Sequence, residues 1–300
     1  MAEEAAVSQE ELEEEKPEST WKAMWYSLSE NKWAMASLIV IAILVVIAIV
    51  TAIFPQTLPY DPYEQDLSVS LQAPSAEHWC GTDEQGRDIF SRILVGTRIS
   101  LSVGLLAVAI SLTVGVTLGA IAGYKGGKVD TVIMRIMDVM LAIPSLLLAI
   151  AFMAAFGRGI EKAVVAIGLV SIPEYARIVR SQILAVKEND YVSAARVIGD
   201  NDAKIIFRHV LPNVLPSIIV RATLGISGAI LDCAALGFLG LGVQPPAAEW
   251  GDMLGRGRNY IFSASWLMIY PGLAITISVL AFNLLGDGIR DALDPKSRRR

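Results

Sequence analysis

The stretch DYVSAARVIGDNDAKIIFRHVLPN, Asp190 to Asn213, decides how the rest of this 300-residue chain is read. It carries mixed charge inside a sequence otherwise built for lipid, and its apolar residues are patterned for short helices. From Asn201 to Leu211 they fall at Ala203, Ile206, Phe207, Val210 and Leu211, the i, i+3, i+4, i+7, i+8 spacing of an amphipathic stripe. Asp202, Lys204 and Arg208 lie off that stripe. Asp200 or Asn201 can cap its start, Gly199 breaks it from the helix before, and Pro212 predicts a stop after Leu211. Helices shorter than about 12–15 residues are marginal alone in water, so this unit of helix, glycine hinge and short helix needs a surface to pack on. A groove on a partner protein supplies one such surface. The membrane interface supplies another.

Outward from that stretch, composition sets the frame. With 54% hydrophobic and 18% charged residues, the chain exceeds what a soluble domain of its length needs for a core and reads as a polytopic membrane protein. Much of the net charge of -5 comes from the acidic head MAEEAAVSQEELEEEKPEST, which reads as a disordered tail over residues 1–32 and is neither basic nor apolar enough for a signal peptide. A bilayer core needs about 20 apolar residues per helix. Four runs meet that length almost without charge: Met35–Phe54, Ile99–Gly123, Val139–Phe156 and Trp266–Leu285. Two more carry charge, Ala163–Leu184 with Glu174, Arg177 and Arg180, and Val214–Leu241 with Arg221 and Asp232. The expectation is an all-α membrane protein of six transmembrane helices. Its parts are a first transmembrane region over 33–60, an outer segment over 61–98, a five-helix core over 99–289 that contains the loop 187–213, and a basic tail over 290–300.

Orientation follows from the 25 lysines and arginines. With both termini in the cytoplasm, only Arg87, Arg92, Arg98, Arg158, Lys162, Arg256 and Arg258 fall outside, so the opening stretch faces inward. Trp21, Trp25, Tyr26 and Trp33 suit an interfacial aromatic belt before the first span. In the second span Ala107, Ser111, Gly115, Gly119 and Gly123 form a ladder of small residues that lets a neighbouring backbone come close. Asp232 lies well inside an apolar run, where an acid costs roughly 2.5–3.5 kcal/mol on insertion scales, so it should face a cavity or a partner. Asp232 and Asp138 are the candidates for a translocation path; a hydrogen-bonded acid between packed helices is the plainer reading of Asp232.

Several patterns point away from catalysis. GTDEQGRD, Gly81 to Asp88, has phosphate-loop spacing but places Arg87 and Asp88 where Lys and Ser or Thr belong. GDG at Gly286–Gly288 sits at a helix end. With only His78 and His209, no H-E-x-x-H zinc site is possible, and Cys80 and Cys233 occupy environments too different for a disulfide framework or metal site. No catalytic constellation is present.

The segment SAARVIGDNDAKIIFRHVLPN resembles the cytoplasmic EAA loop of ABC importer permeases, whose pattern is E-A-A, three residues, Gly, and later Leu-Pro. Ala194, Ala195, Gly199, Leu211 and Pro212 match; Ser193 stands where Glu is usual. GTDEQGRDIFSRILVGTRISL, ALGFLGLGVQPPAAEWGDML, GGKVDTVIMRIMDVMLAIPSLLLA and the terminal GDGIRDALDP extend the likeness to the peptide and nickel uptake branch, from about Trp33 to Pro295. ILDCAALGFLG and MLAIPSLLLA look most like the second permease subunit of dipeptide transporters. The resemblance implies a type I importer permease fold in a bacterial inner membrane. It implies a homologous permease as partner, two ATPase subunits that bind the ATP and Mg, and a peptide-binding protein outside, with no cofactor, metal or nucleic acid on this chain. Ser193, Ala194, Ala195, Gly199, Asp202, Ala203, Ile206, Phe207, Arg208, Leu211 and Pro212 would then contact an ATPase, and Gln244, Pro245, Pro246 and Trp250 would form a stiff outer surface for the binding protein. Nickel, haem or opine cargo stays open within the family. Outside it, Asp232 also suits a gradient-driven secondary transporter, although no inverted repeat relates the halves.

Overall fold

A computed structural model describes residues 20–293, with side chains from Met24 onward. Ten helical elements organise it: α1 (Thr20–Glu30), α2 (Lys32–Ile53), α3 (Ile89–Lys125), α4 (Gly127–Leu141), α5 (Ser145–Phe156), α6 (Ile160–Val186), α7 (Asp190–Val197), α8 (Asp202–Phe238), α9 (Trp250–Gly257) and α10 (Trp266–Leu293). Short 3₁₀ turns punctuate the loops, and the one β-bridge among the described residues pairs Thr82 with Asp88. Within the span 1–32 expected as an acidic tail, Thr20–Glu30 is helical because Leu28 buries against Ala34 and Ala292, which gives α1 the packing surface that propensity alone does not. Residues 1–19 and 294–300, including most of the acidic head and of the basic tail, lie outside the described residues.

Four described helices, α2, α3, α8 and α10, are long and apolar enough to cross a membrane. In α2, Asn31 accepts hydrogen bonds from the Trp33 and Ala34 amides at 3.1 Å, and 22 residues then rise about 33 Å, enough for the hydrocarbon core. The expected single span Val139–Phe156 is not one helix: α4 and α5 are bent by 94° at Ala142–Pro144. Pro144 lacks an amide hydrogen and drives Ile143 out of the helical region, so a run that is continuous in hydropathy is broken in backbone. Counting the bent pair as one crossing gives five. Helix α6, at 27 residues, is long enough for another, but its second half carries Glu174, Arg177 and Arg180.

The small-residue ladder does what its spacing predicts. Helices α3 and α6 form the most extensive pairing in the fold. A Cβ on Gly115 would stand 2.6 Å from Tyr175 Cβ and 2.9 Å from the Ile172 carbonyl oxygen, and Ser111 Oγ donates to the Gly168 carbonyl at 2.9 Å. This contact places the charged half of α6 beside α3 and α8, where the site is built.

Candidate functional site

The stretch that opened the sequence reading folds as a seated loop. Helix α7 ends in a glycine cap. Gly199 has φ +92°, its amide donates to the Arg196 carbonyl at 3.0 Å, and the Asp200 amide donates to the Ala195 carbonyl at 3.1 Å. Asn201, rather than Asp200, caps α8 by accepting from the Lys204 amide at 2.8 Å. Asp200 instead accepts from Lys204 Nζ at 2.5 Å and His209 Nε2 at 3.3 Å, and the Lys204 bond above all holds its carboxyl below the ordinary range. Arg196 lies over the Tyr124 ring, 5.3 Å from its centroid, and donates to its hydroxyl at 3.3 Å, tying α7 to the end of α3.

Two expectations fail here. The helix does not stop after Leu211. Ile205–Val210 is a π-helical turn running directly into Leu211–Phe238, with Pro212 in the first turn and Pro216 further along. The wider turn accommodates a proline that cannot donate and whose ring crowds the preceding carbonyls. It also rotates the stripe: Ile205, Ile206, Val210 and Val214 are buried, while Ala203 and Phe207 are exposed and Leu211 is half-buried. The buried set packs with Val192 and Ala195 on α7 and with Ala120, Val179 and Ile183 on the ends of α3 and α6. Ser193, Ala194, Asp202, Arg208 and Pro212 remain exposed, and Val197, Ile198 and Phe207 stand out at 89%, 82% and 68% exposure. The loop thus exposes these three large apolar side chains while its buried set seats it on the rest of the chain.

Further along α8 lies a chamber of about 360 Å³ between α3, α6, α8 and the α4–α5 bend. Asp232 lines it and makes no hydrogen bond or ion pair among the described residues, the cavity reading of its burial cost. Asp138 does not line it; it is exposed and paired with Arg177 at 2.8 Å. Glu174 and Arg221, which in sequence only interrupt two apolar spans, meet as an ion pair in the chamber wall, with the Arg221 guanidinium 5.5 Å from the Tyr175 ring centroid. A signal was available, since each charge sits inside a long apolar helix and calls for a partner.

At the other end of the fold the segment over 61–98 is held by buried charge. Arg87 and Arg92, each 2% exposed, converge on Asp83 at 2.6 and 3.6 Å, and His78 pairs with Asp88 at 2.9 Å. Trp250 is fully buried, donating to the Ile93 carbonyl at 3.1 Å and packing on Gly96, so it anchors α9 and presents no docking surface. The exposed part of that loop is Pro245 and Pro246, with Gln244 half-buried. Glu249 caps α9 through the Gly251 and Asp252 amides at 2.8 and 2.9 Å, and burial pushes its carboxyl up to about 7. Among the described residues no group of three or more His, Cys, Asp or Glu could hold a metal ion.

Comparison with known proteins adds to this geometry. The family described as binding-protein-dependent transport system inner membrane component matches residues 115–299, and the N-terminal TM domain of oligopeptide transport permease C matches residues 19–74. The dipeptide transport system permease protein of Alkalihalophilus pseudofirmus is 50% identical over 93% of this chain and 91% of its own length. The di/tripeptide transport system permease protein of Pseudomonas aeruginosa is 48% identical over 93% of each. A glutathione transport system permease protein of Pectobacterium atrosepticum is 46% identical over 92% of this chain and 91% of its own length. In fold, the chain is similar to a chain of the MetNI methionine ABC transporter in an inward-facing conformation, with a TM-score of 0.58 at 18% identity over 69% of this chain and 98% of that one.

Proposed function

Because this chain belongs to the binding-protein-dependent ABC permeases of the dipeptide type, we propose that it forms half of a transmembrane pathway for peptide uptake. A homologous permease forms the other half. Two ATPase subunits bind the ATP and Mg²⁺ that power the cycle, and a binding protein outside delivers a di- or oligopeptide. The chain itself carries no chemistry. It crosses the bilayer six times, with α6 as the charged sixth crossing, both termini in the cytoplasm and the α7–α8 loop facing inward, the arrangement favoured by its lysines and arginines. On the outer side, Gln244, Pro245 and Pro246 offer a stiff edge for the binding protein.

The observation that carries this reading is the loop face of Val197, Ile198 and Phe207, apolar and exposed on a loop whose other face is buried in its own chain. An exposed apolar cluster on an otherwise polar loop marks an interaction site, and a loop fixed to α3, α6 and α8 transmits a push on that face to the helices around the chamber. The test is co-purification of the tagged chain with its ATPases and sister permease, comparing wild type with the Gly199→Pro, Phe207→Asp double variant. Proline cannot adopt the positive φ of Gly199 or donate to the Arg196 carbonyl, so the hinge is broken, and Phe207→Asp puts a charge on an exposed apolar position. The expected result is retention of the sister permease with loss of the ATPases. Wild type that holds its sister permease but carries no ATPase refutes the reading and favours a gradient-driven transporter.

A further inference from the structure

Arg221, Gly225, Gly228 and Asp232 recur along α8 at i, i+4, i+7 and i+11, one face of the helix, and all four line the 360 Å³ chamber. The floor between the two charges is bare. A Cβ on Gly228 would meet nothing within 4 Å, whereas one on Gly225 would run into the Tyr175 hydroxyl. Arg221 and Leu224 also line a second cavity of about 440 Å³, which lies toward the cytoplasmic end of the bundle with Pro216 and Arg290. Arg221 and Leu224 thus stand between the two spaces, with Glu174 paired to Arg221 on the chamber side. The hydrogen bonding of Arg221 is incomplete, since its Nε is buried with no partner among the described residues.

Resting on the peptide-uptake reading above, we infer that this chamber is a substrate subsite and that the Glu174–Arg221 pair is a gate opened by the peptide's own carboxylate. The peptide ammonium engages Asp232, the unpaired acid at the outer end. Its carboxylate then replaces Glu174 on Arg221, and the peptide passes to the second cavity, where Arg290 offers the next cation. Exchange of one carboxylate for another on a guanidinium conserves the charge-assisted hydrogen bonds. Opening the pair without an anion to replace Glu174 gives up the guanidinium's charge-assisted partner and returns nothing in exchange. The gate therefore yields more readily to a carboxylate than to a neutral solute. Eleven residues separate Arg221 from Asp232 by about 16 Å along the axis, while an extended tripeptide spans at most about 11 Å. The two charges are met in succession.

The test uses the whole transporter in proteoliposomes with its binding protein, offered a free tripeptide or its C-terminal amide, and reads peptides taken up per ATP hydrolysed. The binding protein contributes the same preference to every variant, so a change between variants belongs to this chain. Wild type should favour the free tripeptide; Arg221→Gln should cut that preference about tenfold, the effect of losing one charged hydrogen-bond partner. Arg221→Lys should recover part of it. Gly228→Leu, whose side chain enters open space, should depress uptake of both peptides. No preference in wild type, an unchanged preference in Arg221→Gln, or wild-type uptake in Gly228→Leu each overturns the subsite. If Arg221→Gln fails to assemble, Gly228→Leu decides alone. Wild type that moves neither peptide overturns the peptide-uptake reading instead.

Discussion

Replacing Gly115 by alanine should destabilise the protein, and replacing Gly272 by alanine should not. Both glycines lie inside long apolar helices, and in isolation the change favours helix by up to about 1 kcal/mol at either position. Packing sets the difference. The new methyl group at 115 would lie 2.6 Å from Tyr175 Cβ and 2.9 Å from the Ile172 carbonyl oxygen, and one at 272 would find only Leu254 Cδ2 at 3.9 Å, an ordinary contact. To reach ordinary contact at 115, α3 and α6 must part by nearly 1 Å, a gap that forfeits a quarter to a half of the dispersion energy of the atom pairs it opens. Overpacking of this kind costs about 1–3 kcal/mol, and a contact as short as 2.6 Å belongs at the upper end, so after a helix-propensity gain of about 1 kcal/mol Gly115→Ala should lose up to about 2 kcal/mol. Thermal unfolding in a single detergent should place Gly115→Ala a few degrees below wild type, and Gly272→Ala at or slightly above it. Equal melting temperatures for the two variants would refute the close approach of α3 and α6.

Asp232→Asn should lower peptide uptake in reconstituted vesicles; unchanged uptake would remove Asp232 from the path. Asp83→Ala should cost about 3–5 kcal/mol, because it leaves Arg87 and Arg92 buried without their shared acid, and should expose the outer segment to protease; an unshifted melting temperature argues against that network. Glu249, in the loop before α9, has its carboxyl raised from 4.5 to about 7 by burial, so the folded state holds its proton more tightly than the unfolded chain does. The stabilisation is complete below about 4.5 and is lost as pH rises through about 7; Glu249→Gln should flatten that slope in melting temperature against pH, and an unaltered slope would count against it.

The long apolar runs, the helix–hinge–helix loop and the small-residue ladder were legible because each is a local pattern with one physical cause. A run of about 20 apolar residues can only be stable across lipid, and a small residue every fourth position can only mean a close neighbour or open space. Composition thus settled a polytopic helical protein, and the spacing around Gly199 settled a helix, a hinge and a second helix. What failed depended on backbone and on distant contacts. Hydropathy is blind to Pro144, which turned one apparent span into two helices at 94°. Pro212 was read as a stop because a proline disrupts an α-helix, but the π-helical turn before it accepts the ring and turns Phe207 outward. Trp250 looked like surface among loop residues and is core, since Gly96 on α3 makes room for it.

The chamber shows the same division most clearly. By itself the sequence determined that Glu174, Arg221 and Asp232 are charges in apolar helices and therefore need water, a cavity or one another. Which of these each obtains depends on how α6 and α8 cross, and that crossing is set by the glycines of α3 dozens of residues away. Only the tertiary structure gave Arg221 to Glu174 and left Asp232 facing open space.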